Sequence, residues 1–109
     1  MTETKQFLYL IRPTRAGMVA DGPTEQENEV LARHFAYLKD LTDRGVVLLA
    51  GRTLTEDETT FGIVVFRADS EPAAERIMRE DPAVRESVMS ATLYPYRVAL
   101  LARDWDGGD

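Results

Sequence analysis

Cysteine is absent from the 109 residues, which excludes thiol nucleophiles, disulfide frameworks, Cys-ligated zinc and Cys-bound iron–sulfur clusters. Histidine occurs once, at His34, so a metal site would need carboxylates or a second subunit, and no metal is expected. Basic residues are outnumbered, 13 Lys and Arg against 19 Asp and Glu, for a net charge of −6. A chain of that sign offers little to nucleic acid or to an anionic membrane surface, and neither is expected as a partner. No apolar run approaches the ~20 residues of a membrane-spanning helix, and no basic start, apolar stretch and small-residue cleavage site opens the chain, so a cytoplasmic setting is expected. Also missing are the GxGxxG turn, the GxxxxGKS/T loop, the HExxH helix and the GxSxG elbow, which leaves dinucleotide, nucleoside triphosphate, zincin and serine-hydrolase readings without support. No cofactor is expected.

What is present alternates in a regular way. Phe7 to Ile11 is a short aromatic and branched run stopped by Arg12 and Pro13, which predicts a strand. Pro13, Gly17, Gly22 and Pro23 mark a loop. Thr24 with Glu27 forms a capping box, and Val30, Leu31, His34 or Phe35, Leu38 and Leu41 follow at helical spacing until Gly45. From Thr24 to Arg44 such a helix spans ~30 Å, enough to cross a small sheet. Val46 to Ala50 and Phe61 to Phe66 predict a hairpin of two strands, with Gly62 marking a bulge or a close backbone approach. Ser70 caps a second helix running to about Glu80, Asp81-Pro82 breaks it and opens a short turn, and the last strand runs from Met89 to about Leu101. Pro95 puts that strand at an edge.

The order is β-α-β-β-α-β, an α+β, ferredoxin-like arrangement with both helices on one face of a four-stranded antiparallel sheet. One domain over residues 1–103 is expected, followed by a polar tail at 104–109 carrying Asp104, Asp106 and Asp109, expected to fray. Phe7–Ile11, Val46–Ala50 and Ile63–Phe66 are apolar at consecutive positions, whereas a sheet with one wet face alternates. Two helices cover one face only. The other face therefore calls for an apolar cover, and a second copy of the sheet, giving a homodimer, is the simplest one.

His34 is the one side chain whose ordinary pKa, ~6.5, lies near neutrality, so acid–base chemistry starts there. Its place beside the helix stripe equally suits a core-edge histidine bonded to backbone or water. Asp81 follows the second helix, which packs beside the first, so its carboxylate can approach His34 and fix its tautomer; Asp before Pro is also an ordinary helix N-cap. Arg12 and Arg15 after the first strand, and Arg52 after the second, are candidates to hold an anionic substrate if they converge, or else solvated surface. Tyr9 and Tyr94 read as packing residues. Tyr37, Ser87 and Ser90 offer hydroxyls without a distinctive spacing. The third strand lacks the aromatic signature of RNA-recognition domains of this topology.

His34, Gly45, Ala50-Gly51, Gly62, Phe66, Asp81-Pro82 and Pro95-Tyr96, in this order and spacing over Lys5 to Leu101, resemble the YCII-related family. The resemblance implies a dimeric α/β barrel and a His–Asp pair, here His34 and Asp81, in a pocket near the dimer interface. It also implies that cofactor-free acid–base chemistry suits the scaffold, as in a relative that acts as a dehydrochlorinase in chloroaromatic breakdown. Where family members often place Pro after Ala-Gly, this sequence has Arg52. The function expected is acid–base catalysis without a cofactor on a small aromatic or carboxylate compound. The alternative is a dimeric small-molecule-binding or regulatory module in which His34 and Asp81 only shape the pocket.

Overall fold

The first apolar run becomes β1, Lys5–Pro13, in a computed structural model that describes residues 5–102. Strand geometry sends alternate side chains to opposite faces. Phe7, Tyr9 and Ile11 enter the core, while Leu8 and Leu10 face the other way and are half-buried. The segment after β1 holds a four-residue helix, α1 (Gly17–Ala20), where the sequence predicted only a loop. The long helix α2 spans Glu25–Asp43. At its start Thr24 Oγ1 accepts from the Glu27 N–H at 3.1 Å, and the Glu27 carboxylate accepts from the Thr24 N–H at 2.8 Å. Gly45, at φ +77°, turns the chain out of the helix in a conformation that costs a residue with a Cβ roughly 1–2 kcal/mol.

The strands β2 (Val47–Arg52) and β3 (Gly62–Ala68) form the expected hairpin, α3 (Glu71–Glu80) and the single-turn α4 (Pro82–Arg85) follow, and β4 closes the sheet at Met89–Tyr96. This last strand ends earlier than the sequence suggested. The sheet order is β2-β3-β1-β4 with antiparallel neighbours throughout, so β4, with its Pro95, is an edge. This is the ferredoxin-like α+β fold. The polar tail Asp104–Asp109 lies outside the described residues.

Helix α2 lies against β2 and α4, and α3 against β3 and β4. Leu38 and Leu41 of α2 and Ala74 and Met78 of α3 bury against Phe7, Tyr9, Ile11, Val64 and Phe66 of the sheet. The Phe66 ring sits between its neighbours, 6.0 Å from Phe7 and 5.6 Å edge-on from Tyr9. The irregularity foreseen at Gly62 falls instead in β2: Val47 pairs with Phe66 and Leu49 with Val65, so Leu48 is an extra residue. Gly62 is a close approach. A Cβ there would lie 3.1 Å from the Gly51 carbonyl oxygen and 3.2 Å from Ile11 Cγ1.

Pairing register defines the face away from the helices. Leu49, Val65, Leu8 and Tyr94 run across it in one row, and Ile63, Leu10 and Thr92 in the next. Tyr94 is 47% exposed and Leu49 42%. The consecutive apolar strands are thus explained residue by residue: half of each run feeds the core and half forms a broad apolar outer face.

Candidate active site

Val30 and Leu38, one turn to either side of His34 on α2, are both buried, and the imidazole is carried inward with them. Only 14% of its side chain is exposed. Asp81 ends α3 and caps α4 from an extended conformation that Pro82 enforces on the preceding residue. Because α4 packs on α2, the two side chains meet across 47 positions of sequence: His34 Nδ1 lies 2.7 Å from Asp81 Oδ1 and 2.9 Å from Oδ2.

Asp81 is fully buried, at 0% exposure, and takes two further donors. Its Oδ1 accepts from the Ala83 N–H at 3.0 Å, the cap that Asp before Pro suggested, and its Oδ2 accepts from the Tyr9 hydroxyl at 2.7 Å. A carboxylate only accepts, so the hydrogen of the His34 contact is on Nδ1. In the neutral ring Nε2 is then the nitrogen without a proton. Burial first, then the Asp81 charge and hydrogen bond, push the Tyr9 phenol far above its usual range, which keeps it a donor.

His34 forms part of the wall of a cleft of about 1220 Å³. Met18 of α1, Leu31 and Leu38 of α2, Ala50 and Arg52 of β2, and Phe61 before β3 also line it. The β2–β3 connection holds its shape through threonine hydroxyls: Thr55 and Thr60 Oγ1 are 2.9 Å apart, and Thr53 Oγ1 accepts from the Phe61 N–H at 3.1 Å. The cleft therefore combines apolar walls with the His34 imidazole, the Arg52 guanidinium, a few hydroxyls and the charged side chains of Lys39, Asp43 and Glu56, a composition suited to a small organic ligand.

The three arginines do not converge. Arg52 lines the cleft and has one weak bond, to its neighbour's carbonyl at 3.4 Å. Arg12 alternates to the outer face and stacks over the Phe61 ring at 5.4 Å. Arg15 is committed to structure: its fork meets both Glu27 oxygens at 2.9 and 2.8 Å and the Gly22 carbonyl at 3.0 Å. Tyr37 is likewise engaged, donating to the Ile77 carbonyl at 2.6 Å, with burial and then Glu80 and Asp81 raising its phenol to about 12. The residue that sequence reasoning missed is Tyr9. Its alternation with Phe7 and Ile11 was the available signal, because a phenol on the core face needs a partner. Among the described residues, no three His, Asp or Glu side chains are placed to share a metal ion.

A ferredoxin-like domain with a His–Asp pair in the wall of an apolar cleft is the class that fold and site define. The chain belongs to the YCII-related family, whose domain model matches residues 6–96. Among solved structures it is similar to the 5-chloro-2-hydroxyhydroquinone dehydrochlorinase of Burkholderia phenoliruptrix AC1100, in complex with 2,5-dihydroxybenzoquinone. The identity is 18% and the TM-score 0.61, over 84% of this chain and 93% of that one. An uncharacterised protein of Thermotoga maritima is similar at 10% identity and TM-score 0.55, over 87% of this chain and 100% of that one. At these identities the likeness establishes the fold. No curated protein sequence matches the chain.

Proposed function

We propose that the protein is a cofactor-independent acid–base enzyme acting on a small organic compound, aromatic or bearing a carboxylate or carbonyl. The observation that carries this reading is the His34–Asp81 contact: a fully buried carboxylate holds Nδ1, and the ring forms part of a cleft wall. His34 Nε2 takes a proton from a carbon acid, the electron pair moves onto the adjacent oxygen as an enolate, and Arg52 opposes the growing negative charge. The imidazolium then returns the proton to another atom, or a leaving group departs as an anion and the proton is released to water. Asp81 acts through His34, as a positioning residue. The dehydrochlorinase neighbour supports a reaction of this kind on a hydroxylated ring.

We also infer that the outer sheet face packs against a second copy of the chain. Leu8, Leu10, Leu49, Ile63, Val65 and Tyr94 share that face by register, and Leu49 and Tyr94 are exposed there in the single chain.

The test is carbon-bound hydrogen exchange in D₂O, followed by NMR over a panel of hydroxylated aromatics and small keto acids. The wild type is expected to exchange at least one of them, and His34→Gln to lose about 10²-fold or more of that rate. An unchanged rate in His34→Gln removes the residue from the chemistry. The binding-module reading draws on Arg12 and Arg15 lying outside the cleft, which leaves Arg52 to oppose charge beside a Lys39 already paired with Asp43. Saturable binding to the wild type with no exchange at any panel member would decide for it.

A further inference from the structure

Tyr9 is fully buried, its ring is fixed edge-on against Phe66, and its hydroxyl points at the carboxylate that holds His34. We propose that Tyr9 is a positioning residue of the His34 site, which holds the Asp81 carboxylate against the imidazole and draws off part of its negative charge. This rests on the His34–Asp81 reading above and adds the group that sets how strongly the pair holds its proton.

The geometry gives Asp81 three donors for two oxygens. Ala83 N–H binds Oδ1, the Tyr9 hydroxyl binds Oδ2, and His34 Nδ1 stands within reach of both. Every donor that shares the carboxylate weakens its pull on the other donors, because hydrogen bonding to the charged form lowers the proton affinity of that form. With the phenol removed, Oδ2 keeps only the imidazole, in a residue with no exposed surface. The charge then falls more fully on the ring, the imidazolium is favoured, and the pair gives up its proton at higher pH.

Several of the other titratable and charged groups around the ring are engaged elsewhere. Tyr37 on the same helix donates to the Ile77 carbonyl, and Arg33 pairs with Glu86 at 2.6 Å. Lys39 and Asp43 on the cleft wall pair with each other at 2.9 Å. Glu80 precedes Asp81 on α3, and Arg52 and Glu56 line the cleft from the β2 side. Of the side chains with hydrogen bonds to Asp81, Tyr9 and His34 are the ones that reach it among the described residues.

The single histidine makes the test direct, since His34 gives the sole imidazole Cε1–H resonance of the chain. Its titration is followed by NMR in the wild type, in Tyr9→Phe and in Asp81→Asn. Tyr9→Phe is expected to move the midpoint to higher pH, and Asp81→Asn to move it lower. Global replacement of the four tyrosines by 3-fluorotyrosine keeps the shape of residue 9 and makes its phenol a stronger donor; it is expected to move the midpoint lower, and it serves if Tyr9→Phe does not fold. A packing role alone would leave the midpoint where it is. Folded Tyr9→Phe and fluorotyrosine proteins that titrate with the wild type overturn the inference about Tyr9 and leave the pair standing. An unmoved midpoint in Asp81→Asn overturns the pair itself.

Discussion

A buried carboxylate costs several kcal/mol unless its charge is met by donors, and Asp81 meets that cost with a backbone amide, a phenol and an imidazole. The three come from separate parts of the chain. His34 and Asp81 were legible as separate residues, one through its ordinary pKa and the other through the Asp-Pro cap. Their approach followed from topology, which lays the two helical segments side by side. Tyr9 was not legible in the same way, because a tyrosine in a run of Phe, Leu and Ile fits packing as well as bonding, and its partner lies 72 positions away. The arginines show the opposite error of a local view. A cation at a strand end looks free until the fold supplies a partner, as Glu27 does for Arg15 and the Phe61 ring for Arg12.

At the scale of elements, the start of α2 is held twice. Thr24 and Glu27 cap one another, and Arg15 grips the same Glu27 while bonding Gly22, so the loop after β1 is tied to the first turn of the helix. The capping box was readable from four consecutive residues. The arginine clamp and the four-residue α1 were not, since α1 is too short to show a period and the clamp spans 12 positions. The Arg15 hydrogen bond, then the Thr24 N–H, lower the Glu27 carboxyl from 4.5 to about 2. A folded-state value below the unfolded one means that the unfolded chain binds more protons between them. The stabilisation is therefore complete above 4.5 and is lost as pH falls toward 2. Urea unfolding of the wild type and of Glu27→Gln should show the wild type more stable at neutral pH and the gap closing through that acid window. A gap that stays constant with pH would mean that the clamp does not depend on the charge of Glu27.

For the molecule as a whole, the order of strands and helices was legible because caps, breakers and hydrophobic period agree along the chain. The extra residue in β2 was not, although it turns Leu49 onto the outer face. That face is the whole-molecule prediction. Light scattering at micromolar concentration should give twice the chain mass of 12.3 kDa, and Leu8→Arg, at the centre of the apolar field, should return it to the single-chain mass with its circular dichroism spectrum retained. A wild-type chain that scatters as 12.3 kDa leaves the outer face without a second copy.

The central claim is that His34 gives its Nδ1 hydrogen to Asp81 and keeps Nε2 for chemistry. Long-range ¹H–¹⁵N correlation of the single imidazole, recorded above its titration, reads the tautomer directly. Hydrogen on Nδ1, with Nε2 bare, is the form predicted, against the usual preference of free imidazole side chains in water. Hydrogen on Nε2 would contradict it, because the ring would then neither donate to the carboxylate nor present a base to the cleft.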